Sequence, residues 1–431
     1  MGGSFMDFPF AISDRQNQVG REDSSQVQMR LSSLLIAAMM MTSAPAVWGQ
    51  ESSDDLVARL VQESQKHAIP RNLSPTDPLF QAESYAAGLA ADVSEFNVWM
   101  IEIIKAYAHR GDFNSAAYLA KRLPGSGNGL AHAEIAALLA ASPGRQSEAE
   151  SYLKVARKEL NQVSGLPAEL MRARCALALY YLGRESEAMS LEAELGKLEL
   201  LSLNTRLHEA NLLPAISLLD AKRLLVTLTE QGNDERQARF LLACAQQHFK
   251  KGSPELAKPF LEEIGTMAME RGLPTAQRVL LDLARTAHAG GQALLANKSM
   301  NLFLKCCEGY SDNAEWKAPF LAAAAEILIE WKRLDEARAW LKAAEATIPK
   351  IFVMDAPAAM LAIARQRAKL DGPDSAEPLL LASARAGRSH SHPRFLAETA
   401  VRICLHAEAV STPVSAEVTG ILNPADVEVK P

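Results

Sequence analysis

The 431-residue sequence predicts an all-α fold, a solenoid of antiparallel helix pairs. Three observations carry this. Phe, Trp and Tyr together make up only 6% of a chain rich in Ala and Leu, a balance that favours helices over sheets. The pattern Gly-x-x-x-x-Ala recurs at Gly111…Ala116, Gly144…Ala149, Gly183…Ala188, Gly252…Ala257 and Gly291…Ala296. Degenerate copies follow at Lys332…Ala337 and Asp371…Ala376, giving a period of 33–41 residues apart from one interval of 69. Periods of this size belong to stacked helix pairs. The long interval is predicted to hide a divergent unit around 212–230.

A second small position lies 12 residues before each of these alanines, at Ile104, Ala137, Ala176, Ala245, Ala284, Ala325 and Ala364. One small residue on each helix of a pair lets the two helices approach closely. The Gly between them supplies the positive φ that closes a short turn. Large apolar residues flank the small ones, as at Leu241, Leu280, Leu321 and Met360. Each pair therefore has a face it cannot bury alone, and stacking completes the core.

With these positions in view the chain resembles the tetratricopeptide repeat family. The copy from Ile104 to Ala116 carries the small residue, the turn Gly and the following Ala. The copy Leu321–Pro349 adds Ala325, Leu334, Ala337, Leu341, Ala344 and Pro349 at family positions. The resemblance covers roughly residues 96–388, and it implies a right-handed superhelical α-solenoid with a concave inner face. Most units here exceed the family's usual length, and the aromatic of the first helix is largely missing.

The flanks divide the chain further. Residues 1–28 are polar and irregular and read as an upstream or non-native extension. Residues 29–46 read as a signal peptide: Met29-Arg30, an apolar run of about 11 residues, then Thr42-Ser43-Ala44-Pro45-Ala46 as a small-x-small cleavage signal. The run is too short and too interrupted for a membrane anchor. Residues 50–95 are predicted to hold one helix (54–67) and a Pro-rich loop (69–78). The helical-repeat domain spans 96–410, with Pro124–Gly129 as a flexible connector and Pro393–Val410 as a capping helix. The tail, 411–431, reads as disordered.

Chemistry is scarce. The net charge of −6 offers no general attraction for nucleic acid or anionic membrane, so neither is an expected partner, and no stable membrane insertion is expected after signal cleavage. Cys175, Cys244, Cys306, Cys307 and Cys404 show no C-x-x-C spacing and read as small buried hydrophobes. The loop Gly125-Ser126-Gly127-Asn128-Gly129 lacks the Lys of a phosphate-binding loop. His208-Glu209 has no second His one turn on, and His390-Ser391-His392 has no third ligand. No catalytic, cofactor or metal residues are therefore assigned, and the chain is not expected to be an enzyme.

The resemblance places several cations on the inner face of the first helices. Lys105 and His109 lie there, then Tyr181 and Gln246. The partner-binding candidates are Arg239, Lys250, Arg278, Arg285, Arg365 and Lys369. Offsets of 18 and 11 residues before the reference Ala differ by two turns, which puts Arg239, Arg278, Arg285 and Arg365 on one helix face. Glu326 and Glu330 interrupt the row, and ordinary solvated charge is the competing reading. The expected function is a secreted or periplasmic scaffold binding a protein or peptide, an acidic one being the kind these cations would suit, through its concave face. The alternative is an envelope-polymer enzyme or accessory domain that holds a glycan or peptide strand in a helical groove. Export is checked directly: N-terminal sequencing of the native protein should begin at Val47, and a mature chain starting before residue 30 would remove the signal peptide.

Overall fold

A computed structural model describes residues 73–90, 92–228, 234–271, 274–309, 314–390 and 392–423, without side chains at 268–277 and 308–309. The segments read as upstream extension, signal peptide and first helix (1–28, 29–46 and 54–67) lie outside the described residues. The described residues form 19 α-helices with short 3-10 turns and no strand, so this part of the chain is all-helical.

Helix α1 (Pro78–Ala86) stands alone at the start, and the other helices form nine consecutive pairs. The pairs are α2 (Val93–His109) with α3 (Phe113–Ala120), α4 (Ser126–Ala141) with α5 (Gln146–Leu160), and α6 (Leu166–Tyr181) with α7 (Glu185–Glu192). Next come α8 (Lys197–Glu209) with α9 (Leu218–Leu228), α10 (Asp234–Lys250) with α11 (Pro254–Arg271), and α12 (Pro274–Ala289) with α13 (Ala293–Gly309). The last three are α14 (Ala314–Glu330) with α15 (Leu334–Glu345), α16 (Ala356–Asp371) with α17 (Glu377–Ser389), and α18 (Pro393–Ala409) with α19 (Ala416–Leu422).

Every pair turns through one residue of positive φ: Gly111, Gly144, Gly183, Asn211, Gly252, Gly291, Lys332, Gly372 and Ser411. Seven of these turns close alike, the N–H after the turn residue reaching the carbonyl five residues back at 2.8–2.9 Å, as Asp112 to Tyr107 and Ser253 to His248 do. That bond satisfies a carbonyl the helix end would otherwise leave open. Asn tolerates this backbone region better than other side chains, which explains Asn211. The turn at Asn211 resolves the 69-residue interval: α8 and α9 are the divergent unit.

The small positions behave as packing requires. Ile104, Ala176, Ala245, Ala284, Ala325 and Ala364 have no exposed surface, and neither do Ala116, Ala149, Ala188, Ala257 and Ala337 in the second helices. Each first helix packs on its own partner and on the first helices of neighbouring pairs, so it is buried nearly all round. Helices α4, α14 and α16 are accordingly apolar or Ala-rich on most faces. The second helices face solvent on one side, and α5 and α15 bury only a stripe.

Three expectations need correction. The tail read as disordered contains α19, capped by the Ser415 hydroxyl on the Val418 N–H, because Ser411…Ala416 repeats the turn pattern with Ser in place of Gly. The connector 124–129 is not flexible: Ser126 opens α4, and a Cβ on Gly127 or Gly129 would lie 2.7 Å from Asn97 or 2.2 Å from Met171. These glycines permit close approach, and the positive φ belongs to Gly125.

The third correction concerns the ends. Pro393–Val410 was expected to cap the stack as a terminal helix, and 50–95 to lie outside the repeats. Instead α18 returns to the start of the repeat body. Helix α1 packs along α18 as a second helix packs on its first, while α19 lies mainly on α17. Leu79, Ala82 and Ala86 of α1 are fully buried. Arg110, at the end of α2, donates to Asp77 at 2.8 Å and to Glu408 at 3.3 Å. Arg394 pairs with Asp92 and Glu95, and the Arg402 guanidinium lies 4.6 Å from the centre of the Trp99 ring. Within residues 73–423 the first helices thus form a closed circuit from α2 to α18 and back to α2.

The packing makes a stability prediction. Replacing Ala245, Ala284 or Ala325 with Leu should overpack a helix contact and cost about 1–3 kcal/mol. The same change at exposed Ala293 should stay within about 0.5 kcal/mol. Urea titrations of the four variants check this, and equal stability throughout would refute the register.

Candidate functional site: an arginine cavity on the first helices

The first helices carry most of the buried charge, and they pair it across neighbours. Taking the small position of each first helix as origin, residues at offsets −9, −5, −2, +2 and +5 share one face, since the steps alternate between four and three. Arg236, Glu199, Arg174 and Arg206 occupy the first four of these offsets on α6, α8 and α10, counting Asn204 as the origin of α8.

These residues surround a cavity of about 210 Å³ lined by Leu170, Ala173, Arg174, Glu199, Ser202, Leu203, Arg206 and Arg236. No second helix contributes to its lining. Arg174 Nε donates to Glu134 of α4. Arg236 Nη1 reaches the Leu198 carbonyl at 3.5 Å and the Ser202 hydroxyl at 3.4 Å, with Glu199 at 3.8 Å. The Ser202 hydroxyl itself donates to the Leu198 carbonyl at 3.1 Å. Burial pushes the Glu134 carboxyl up, but the fields of Arg174, Arg206 and Lys105 outweigh it and hold the group below its ordinary range. The cavity lining therefore holds three guanidiniums and one carboxylate, Glu199, and Glu134 accepts from Arg174 beside it.

The residues expected to bind a partner lie elsewhere on the same circuit, and each but one meets an acceptor. Arg239 and Arg278 share Glu235, at 3.0 and 3.1 Å. Lys250 donates to the Glu209 carbonyl at the end of α8. Arg285 contacts Glu330 at 3.0 Å and Glu326 at 3.5 Å, and Lys369 pairs with Glu326 from the other side. The two glutamates that interrupted the row thus bridge α12, α14 and α16. Arg365 differs: its Nε is buried and has no hydrogen-bond partner among the described residues, and the same holds for His406 Nε2 on α18. Four of the six cations thus sit in ion-paired groups, Lys250 meets a backbone carbonyl, and Arg365 stands apart.

Arg174, Arg206 and Arg236 were not among the expected residues. Arg206 lies in the unit hidden by the 69-residue interval, so it had no register. Asn211, as a turn residue in place of Gly, was the available signal. None of the five cysteines forms a disulfide, and burial pushes the thiols of Cys175 and Cys244 up to about 12, which suits unreactive core residues. Among the described residues no His, Cys, Asp and Glu group is arranged to hold a metal ion, and no helix is long and apolar enough to cross a membrane. Glu326 and Glu330 are engaged by Arg285, so nothing favours them as an acid/base pair.

No family model and no curated protein matches the chain. Among solved structures it is similar to a "circular tandem repeat protein with novel repeat topology and enhanced subunit contact surfaces", at 15% identity over 87% of this chain and 90% of that chain, with a TM-score of 0.26. A score that low carries no argument about fold or function.

His406 supplies a pH prediction. Burial, with Arg365 beside it, pushes its imidazole down to about 4. The unfolded chain takes up this proton near pH 6.5, so the neutral ring costs nothing above that value. As pH falls towards 4 the unfolded state binds the proton first, and the native state loses about 2–3 kcal/mol. Urea titrations at pH 7.5 and 4.5 should show His406→Leu losing that much less than the unaltered chain. Equal losses would mean the ring titrates normally.

Proposed function

We propose that the mature chain is an exported helical-repeat scaffold that binds an acidic segment of a protein or peptide partner. In this reading the pairs are tetratricopeptide-like, stacked as antiparallel hairpins with a right-handed superhelical twist whose pitch is small enough for the ninth pair to meet the first. The recurring small positions and the common turn support the family likeness. Export rests on residues 29–46.

The observation that carries the binding role is the arginine cavity on the first helices. Guanidiniums match carboxylates and other oxyanions in geometry as well as charge. Arg174 and Arg236 are turned by Glu134 and Glu199 without being used up. Each exposed contact is weak, so affinity must accumulate over several and fall with salt. An acidic peptide measured by fluorescence anisotropy should bind the full chain and weaken as ionic strength rises. Arg206→Glu should reduce the affinity at least tenfold with an unchanged circular dichroism melt, and Arg236→Glu is the second test should the first variant unfold. Arg385→Glu, on α17 and two-thirds exposed, should change nothing. Salt-independent binding, or binding indifferent to both cavity variants, would overturn the proposal.

A further inference from the structure

We infer that the cavity between α6, α8 and α10 is a site for a tetrahedral oxyanion, the phosphate or sulfate monoester group of a modified side chain on the partner. This rests on the scaffold reading above and sharpens it from general acidity to one group. The geometry points there for three reasons.

The first is the number and origin of the donors. Arg174, Arg206 and Arg236 come from three successive first helices and line one cavity. A guanidinium is a planar fork, and one fork already saturates the open edge of a carboxylate. Three forks on three separate helices line this one cavity. They suit an acceptor whose terminal oxygens point in different directions, which a phosphate or sulfate ester has and a carboxylate lacks.

The second is which donors are committed. Arg174 uses Nε on Glu134, and Arg236 uses Nη1 on Leu198, Ser202 and Glu199. The other N–H groups of these two have no protein partner among the described residues. The acceptors therefore hold the forks in place by one edge. Ser202 belongs to this support, since its own proton goes to the Leu198 carbonyl.

The third is size and charge. A cavity of about 210 Å³ holds a tetrahedral oxyanion together with the first atoms of its ester linkage. The lining carries three guanidiniums and one carboxylate, a composition that favours a group with one to two negative charges. Glu199 opposes it from the cavity wall, so removing that charge should strengthen binding.

Titration calorimetry on the full chain at constant ionic strength tests this with inorganic phosphate, sulfate and acetate. Phosphate and sulfate should bind one per chain, and acetate at least tenfold more weakly. Arg206→Gln should abolish saturable binding, with Arg236→Gln as the second variant if the first loses its helical melt. Glu199→Gln should tighten binding about threefold or more, an effect that a purely structural ion pair would not produce. Lowering the pH from 7.5 to 5.5 weakens phosphate and spares sulfate, and the same contrast between phosphorylated and sulfated forms of one acidic peptide identifies the source. Equal binding of acetate, or anion binding unchanged in both Arg variants, overturns the inference. If unmodified acidic peptides still bind through the cavity in that case, the scaffold reading survives; if they also fail, both fall.

Discussion

The closure of α1 onto α18 is the contact on which the rest of the repeat body depends. A helix pair in a stack has two flanks, and each is apolar because a neighbour normally covers it. An open array must therefore end in atypical pairs with polar outer surfaces. Here the terminal flanks cover one another. Helix α1 takes the place against α18 that a second helix takes in every other pair, and Leu79, Ala82 and Ala86 fill the seam. The seam is also charged: Arg110 bridges Asp77 and Glu408, residues more than 300 positions apart. Ion pairs of this kind add little energy at a surface. Their effect is on register, since each guanidinium fits only one alignment of the two chain ends.

Closure explains why the first helices look unlike ordinary amphipathic ones. A helix touched by its own partner and by two neighbours keeps only a narrow face away from apolar contact. Charges on that face sit close to those of the next helix, so they are arranged as pairs. Glu235 holds Arg239 and Arg278, and Glu326 holds Arg285 and Lys369. Repulsion between like charges in such a confined row would be costly, and alternation of sign relieves it.

Much of the fold was legible because its signals are local. The Gly-x-x-x-x-Ala turns, the small positions and the helical character follow from residues within one unit, and the structure buries the small positions as packing demands. Less was legible where a rule is met by an unusual residue. Asn211 and Ser411 do the work of Gly in the turn, so one whole unit and α19 escaped the pattern. Gly127 and Gly129 made the opposite error: read as flexible, they are helical residues that let Asn97 and Met171 come close. The closure itself had no local signal, because it joins segments from opposite ends of the chain. The six cations lie on first helices, yet which acceptor each one meets depends on what the next helix offers, and that is a tertiary fact.

The cavity arises where the repeat is least regular. The turns at Gly183 and Asn211 are 28 residues apart, against 33 to 41 elsewhere. Helix α8 accordingly runs for 13 residues, while its neighbours α6 and α10 run for 16 and 17. A short helix between two longer ones cannot fill the full depth of the row, and the space is lined by α8 itself together with its neighbours. Each of the three helices contributes one arginine to it. An array of identical units would pair its charges evenly all round and leave no such opening. The shortened unit breaks that evenness at one place, so a site can form without disturbing the turns, the small positions or the closure that hold the other pairs together.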